Sequence, residues 1–514
     1  VIVHVHAYVD GVCKCGEIDA KCTIQVGNKY YKTFAEAYAA AEAGDTITLL
    51  ADITADAIIT IDKAITLDGN GKTLTSTAGR AINVDCAGAV TIEDLTIVAK
   101  GERAINIINQ PANITVNNVT ATAKNNAVMM ATSAAGANLT VKDSDFTGLA
   151  VVNVASAGSK VEINNTKLTN VDANPNENYC AITVFATATN ATINVNGGEI
   201  IVANDSRKAY IFAEGATVNG IDDVGKIVAM IGDAGFESHE KAVDYAKDGQ
   251  TVKLVADAAG NGIVIDKDIT LDMAGYTYTI DGETVGSTGT KTLGFQLLKG
   301  SDITIKNGTI KSEKAKALIQ NYANLTLDNV DLIGGEITQY VLSNNYGETV
   351  LTNGTTITAT AGNVAFDVAV GWSSAYSNAT VIVKNATIVG KIEVGNYGTD
   401  AKNIVLDIQG GNLTGATIVI PYEASGKVTK ADTVEVGAPE GYEWVDGALV
   451  AIAYAAEVDG VKYKTLEAAF AATTEGTITM LSDAAGNGIV VPSGSNITLD
   501  MAGYTYTIDG ETVG

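Results

Sequence analysis

The stretch that decides the fold is Tyr31–Thr75, YKTFAEAYAAAEAGDTITLLADITADAIITIDKAITLDGNGKTLT. Thr33 stands where a helix N-cap belongs, because its hydroxyl oxygen can accept from a backbone N–H that the first helical turn leaves unpaired. Glu36 falls at the third helical position and completes a capping box. Phe34, Ala37, Tyr38 and Ala41 recur at i, i+3, i+4 and i+7, one apolar stripe on a short helix. Gly44 stops it, and Thr46-Ile47-Thr48-Leu49 begins a strand-type alternation. The phrase returns at Phe236 (FESHEKAVDYAKDGQTVKL, cap Ser238) and at Tyr463 (YKTLEAAFAATTEGTITM, cap Thr465). Self-similarity at so long a period predicts a modular array, each unit opened by a capping helix that feeds a β-stack.

Between these phrases runs a shorter rhythm. Strands are expected at Ala81, Ala104, Ala127, Ala150, Ala181 and Ala209, with partner strands that end in asparagine, aspartate or glycine. The step is about 22–25 residues, the length of one solenoid coil. In both large units the fourth step is longer, Asn165 to Gly197 and Asn353 to Asn385. A shared irregularity implies duplication of a whole unit. Asparagine and aspartate tolerate the left-handed backbone that a sharp strand-to-strand corner requires. Asp94, Asn118, Asp143 and Asn165 are therefore expected to stack in one column, and Asn307, Asn329, Asn353 and Asn385 in another. The boundaries that follow are 1–23 for a distinct amino-terminal segment, 24–226 and 227–450 for two β-solenoid units, the second with a linker, and 451–514 for the start of a third.

Composition agrees. Charged residues are 18% and hydrophobic residues 46%, with 53 glycines and five prolines, which fits an ordered chain of tight turns. A net charge of −26 argues against nucleic acid as a partner and leaves loosely bound calcium as a candidate. No apolar run approaches the roughly 20 residues of a membrane span. Because the chain begins at Val1 without methionine, it is read as having lost a leader. It stops at Gly514, equivalent to Gly286, where the second unit is only entering its stack. The expectation is continuation in a longer chain or head-to-tail self-association, with the strand-like Val1–Val9 segment as a partner edge.

The first 23 residues hold His4, His6, Cys13, Cys15 and Cys22. The alternation Val1 to His6 predicts a strand with both histidines on one face. Imidazole and thiolate ligands suit zinc, although Cys-x-Cys is tighter than the usual knuckle. The alternatives are a disulfide among the three cysteines, leaving one thiol over, or thiols with no such role. Cys86 and Cys180 lie in strand contexts and read as small buried residues.

The pattern Thr33-Phe34-x-Glu36-Ala37-x-x-Ala40, followed by Gly44-Asp45-Thr46-Ile47 and Ile65-Thr66-Leu67-Asp68-Gly69, resembles the start of pectin-lyase-like right-handed parallel β-helices. The stretch Ala438–Gly447, the restart Glu457–Tyr463 and the His/Cys opening resemble repetitive surface proteins of anaerobic gut bacteria. The resemblance implies an all-β fold of tandem β-helices and an extracellular or cell-surface location. It implies little chemistry, since this fold hosts lyases, hydrolases, adhesins and stalks.

Three functions compete. The first, favoured by repetition and by the copy LDMAGYTYTIDGETVG at 271–286 and 499–514, is a non-catalytic structural or adhesive rod. The second is glycan or host-surface binding through Trp372, Tyr376 and Tyr179 on the long rungs. The third is a polysaccharide lyase or hydrolase. Pectate-lyase relatives pair an arginine with calcium-binding aspartates, and Arg80 and Arg103 begin adjacent strands, but the second unit has no arginine. Asp222-Asp223 comes without a Gly-His-Gly element, and Asp143 with Asp145 reads as a turn residue plus a surface acid. His239 replaces Phe34 and Leu466 on a helix, so packing is expected of it rather than base catalysis. Asp68-Gly69-Asn70-Gly71 reads as a tight turn, not a calcium loop.

Overall fold

Strands whose every second side chain is apolar can be wound so that one face of each coil closes on a shared interior. The computed structural model describes residues 5–171, 179–203, 210–221, 224–232, 234–287, 290–371, 373–396, 398, 402–421 and 427–513. It is an all-β chain, 53% strand and 5% helix, wound as a right-handed parallel β-solenoid of about 18 turns. In residues 24–226, one sheet aligns Ile92, Val116, Val141 and Ile163 on successive coils. A second aligns Ile82, Ile105, Val128, Val152, Ile182 and Tyr210. In the next unit, Leu271, Ile305, Leu327, Leu351, Val383 and Ile408 do the same. All these residues are buried. Each such side chain contributes about 1.5–3 kcal/mol on full burial, which offsets the cost of ordering its coil.

The corners follow from asparagine chemistry. Asp94, Asn118, Asp143, Asn165, Asn307, Asn329 and Asn353 all have φ between 43° and 59°. Their side chains bond along the stack. Asn118 Nδ2 donates to Asp94 Oδ1 at 2.6 Å and Asn165 Nδ2 to Asp143 Oδ1 at 2.7 Å. Asn307 Nδ2 donates to Asp272 Oδ1 at 3.2 Å, Asn329 Nδ2 to Asn307 Oδ1 at 3.4 Å, and Asn353 Nδ2 to Asp328 Oδ1 at 2.6 Å. Asn385 departs from the expected column, because its φ is not left-handed. Val383 pairs with Leu351 and Ala386 with Thr355, so this corner is one residue shorter than the one beneath it and turns without a left-handed residue.

Each unit begins with a cap of two parts. Helix α1 (Phe34–Ala40) carries the capping box, with Glu36 N donating to Thr33 Oγ1 and Thr33 N to Glu36 Oε2. Helices α2 (His239–Tyr245) and α3 (Leu466–Ala472) are capped by Ser238 and Thr465. Before each helix an antiparallel hairpin pairs through its first strand with the first strand of the stack: Ile24–Val26 pairs with Lys29–Tyr31 on one side and with Thr46–Leu49 on the other. The helix carbonyls find a cation from the next coil: Lys63 Nζ donates to Tyr38 O and Ala41 O, and Lys267 Nζ to Val243 O, Asp244 O and Ala246 O. Such pairing satisfies acceptors that a helix C-terminus leaves open.

The stretch read as a linker is itself a cap. Tyr442–Val445 and Ala448–Ala451 form a hairpin about Asp446 and Gly447, whose φ values are 48° and 75°. Trp444 and Leu449 close on the end of the second core. An apolar cluster joins the two units: Met129, Ala155, Cys180, Phe185 and Ile211 pack with Ile227, Met230 and Val255.

Candidate functional site

The long rung of the second unit folds back over earlier coils. Tyr322 and Tyr346 occupy the same corner on successive coils, just after Asn321 and Asn345. Tyr376, on the long-rung turn, lies 4.8 Å from Tyr322 and 6.0 Å from Tyr346, ring centre to ring centre. Lys299 pins the turn by donating to Ala375 O at 2.9 Å, with its ammonium 4.1 Å from the Tyr346 ring centre. Beside the rings runs a groove of about 430 Å³ lined by Asp302, Asn324, Glu348 and Asn378. Asn324 Nδ2 donates to Asp302 Oδ1 at 2.7 Å, which fixes the carboxylate at the rim. Burial, with Tyr376 alongside, pushes the Tyr322 hydroxyl up to about 12, so it stays a neutral donor. Half-buried rings beside fixed acceptors can stack on a sugar face and bond its hydroxyls.

Of the three aromatic candidates, the structure packs only Tyr376, among the described residues, against the tyrosines that line this groove. Tyr179 packs, half-buried, against the core of the second unit. Trp372 lies outside the described residues, as do Asp222 and Asp223. Sequence reasoning missed Tyr322, Tyr346 and Lys299, although the two tyrosines stand one coil step apart.

Several of the groups weighed for catalysis make contacts within the fold. Arg80 and Arg103 occupy equivalent positions, and Arg103 Nη1 donates to Asn106 Oδ1 at 3.0 Å. Asp143 is a corner residue bonded to Asn165. In the Asp68–Gly71 turn, Asn70 N donates to Asp68 Oδ1. His239 is fully buried on α2, its ring 4.8 Å from that of Tyr278, and burial lowers its pKa to about 4. Asp367 sits on an outward column of the second unit, Gln296, Gln320, Ser343, Asp367 and Glu393, yet is only 4% exposed. Burial lifts its carboxyl to about 8, against the opposing pull of Ser343 Oγ and Asn344 N, which donate to it at 3.0 and 2.6 Å.

At the amino terminus, His6, Cys13 and Cys15 converge. His4 lies outside the described residues, and Cys22 is not in the group. Cys22 is buried, with its Sγ close to Gly11, and its burial raises its thiol pKa. None of the five cysteines is disulfide-bonded, so the local bridge considered as an alternative is not formed. The first strand is Tyr8–Val9, and residues 5–7 before it are irregular.

No family model matches the chain, and no curated protein matches it. Among solved structures it is similar to a PL6 family alginate lyase, AlyGC, at 10% identity and a TM-score of 0.18, over 79% of this chain and 99% of that one. A score that low carries no argument about fold or activity. No described helix is long and apolar enough to cross a membrane.

Proposed function

We propose that the chain is a non-catalytic structural or adhesive β-solenoid, a stiff element of a bacterial cell-surface protein or filament. The observation that carries this reading is the use of the repeated polar residues. Corner asparagines of both large units donate to a corner residue, or to an aspartate beside it, on the coil before, so many of the side chains that recur hold coil to coil. Each coil of a solenoid contacts its neighbours, so like side chains repeated along the stack serve the stacking itself, whereas function on a shared fold rests on a particular site. Extracellular location, kinship with surface proteins of anaerobic gut bacteria and head-to-tail self-association belong to the same proposal. Light scattering over a concentration series tests the last of these. The reading as a whole is tested by incubating the protein with uronic-acid polysaccharides, with and without calcium, and following product release. No release is expected.

A second reading, glycan binding without turnover, is favoured by the convergence of Tyr322, Tyr346 and Tyr376 beside Asp302, Asn324 and Glu348. A glycan array separates it from a purely mechanical role. Binding lost in Tyr346→Ala supports it, and an array without hits removes it.

A further inference from the structure

The amino-terminal segment carries chemistry that the solenoid does not use. Tyr8–Val9 and Val12–Cys13 pair antiparallel about Asp10 and Gly11, both left-handed at φ 51° and 78°. The chain then turns back at once. Gly16 N donates to Cys13 O, and Cys13 N donates to Glu17 O, each at 2.8 Å. This turn brings Cys15 Sγ to 3.4 Å from His6 Nδ1. The ligand atoms of His6, Cys13 and Cys15 all lie within 4.8 Å of one another. On the other side of the imidazole, Nε2 is 2.9 Å from Glu17 Oε2.

We propose that His6, Cys13 and Cys15 form a binding site for a thiophilic d10 metal ion, Zn(II). Ligands about 2.0–2.3 Å from a tetrahedral ion stand roughly 3.3–3.8 Å from each other. The separation of Cys15 Sγ from His6 Nδ1 already has that length, and small side-chain rotations close the rest. Two thiolates and an imidazole select zinc over calcium or magnesium, which take oxygen ligands. Glu17 is a positioning residue. By accepting from Nε2–H it holds the tautomer whose Nδ1 lone pair faces the thiols and makes that nitrogen more basic. Cys13 is buried and Cys15 exposed, so the site is walled on one side and open to an entering ion on the other. Three protein ligands leave a fourth position for solvent or another donor. Bound metal would staple the irregular stretch before the hairpin to the turn after it, in a segment too small to build a core of its own.

The test uses the full chain, reduced and stripped of metal, titrated with Co(II) as a spectroscopic probe and then with Zn(II). The expected result is a thiolate-to-cobalt charge-transfer band that saturates at one equivalent and is displaced by one equivalent of zinc. Cys13→Ser and Cys15→Ser should each abolish the band. His6→Ala and Glu17→Gln should weaken zinc binding by about 10–100-fold, and Cys22→Ser should leave it unchanged. Circular dichroism should be the same for all variants, because none lies in the stack. A missing band, a band that survives in the double variant of Cys13 and Cys15, or one that requires Cys22 would overturn the proposal.

Discussion

Replacing Asp367 by asparagine should stabilise the second unit at neutral pH, by an amount that grows as pH rises. The carboxyl is buried, and its pKa stands near 8 in the folded chain against an ordinary 3.8. Burial is the main cause, and the nearby Glu393 carboxylate adds to it. The folded state therefore holds a proton that the unfolded state has released. Below about pH 4 both states are protonated and the residue carries no penalty. Between about 4 and 8 stability falls as pH rises, because the folded state binds more protons than the unfolded one. At roughly 1.4 kcal/mol per pH unit the difference between the variant and the parent should grow steadily, to at most about 6 kcal/mol, and then level off above pH 8. Asparagine keeps an oxygen for Asn344 N–H, and the Ser343 hydroxyl can turn from donor to acceptor. The assay is urea unfolding at several pH values, followed by tryptophan fluorescence. Both tryptophans lie in the second unit, so the signal reports the part of the chain that contains Asp367. Parallel stability curves for the two proteins between pH 5 and 8, or an asparagine variant less stable than the parent at pH 8, would refute the reasoning.

Other substitutions probe the corners and caps. Asn329 has φ 57°, so Asn329→Val should lose about 1–3 kcal/mol, while Asn329→Gly, which accepts that backbone, should lose only the weak bond to Asn307. Equal midpoints for the two variants in urea would remove the corner argument. Lys267→Met strips three helix carbonyls of their donor and should cost about 1–3 kcal/mol, seen as faster hydrogen exchange at the amides of α2. Unchanged exchange there would show that solvent serves those carbonyls equally well.

The coil register was legible because it rests on a local constraint. Asn118, Asn165 and Asn329 recur at a coil step, and few residues other than asparagine, aspartate and glycine take that backbone cheaply. Asn385 misled because an asparagine at the right spacing does not reveal a corner one residue shorter. The hairpin caps were legible and overlooked: Asp446-Gly447 and Asp459-Gly460 are strong two-residue turn signals set between β-branched residues. The aromatic groove was harder to see. Tyr322 and Tyr346 are aligned by the stack, but Tyr376 reaches them only because the long rung folds back under Lys299. No pattern along the chain encodes that fold-back. Nor does any local signal reveal that Asp367, which alternation places on an outward face, is covered.

On the proposed reading, this solenoid spends its repeated polar residues on its own stack and turns over no polysaccharide. The most direct test is release of unsaturated or reducing-end product from alginate, pectin and polygalacturonate, measured with and without calcium, for the parent chain and for Arg103→Ala. The account predicts no release above the protein-free control in any combination. Sustained release by the parent that disappears in Arg103→Ala, with the solenoid still folded, would contradict it.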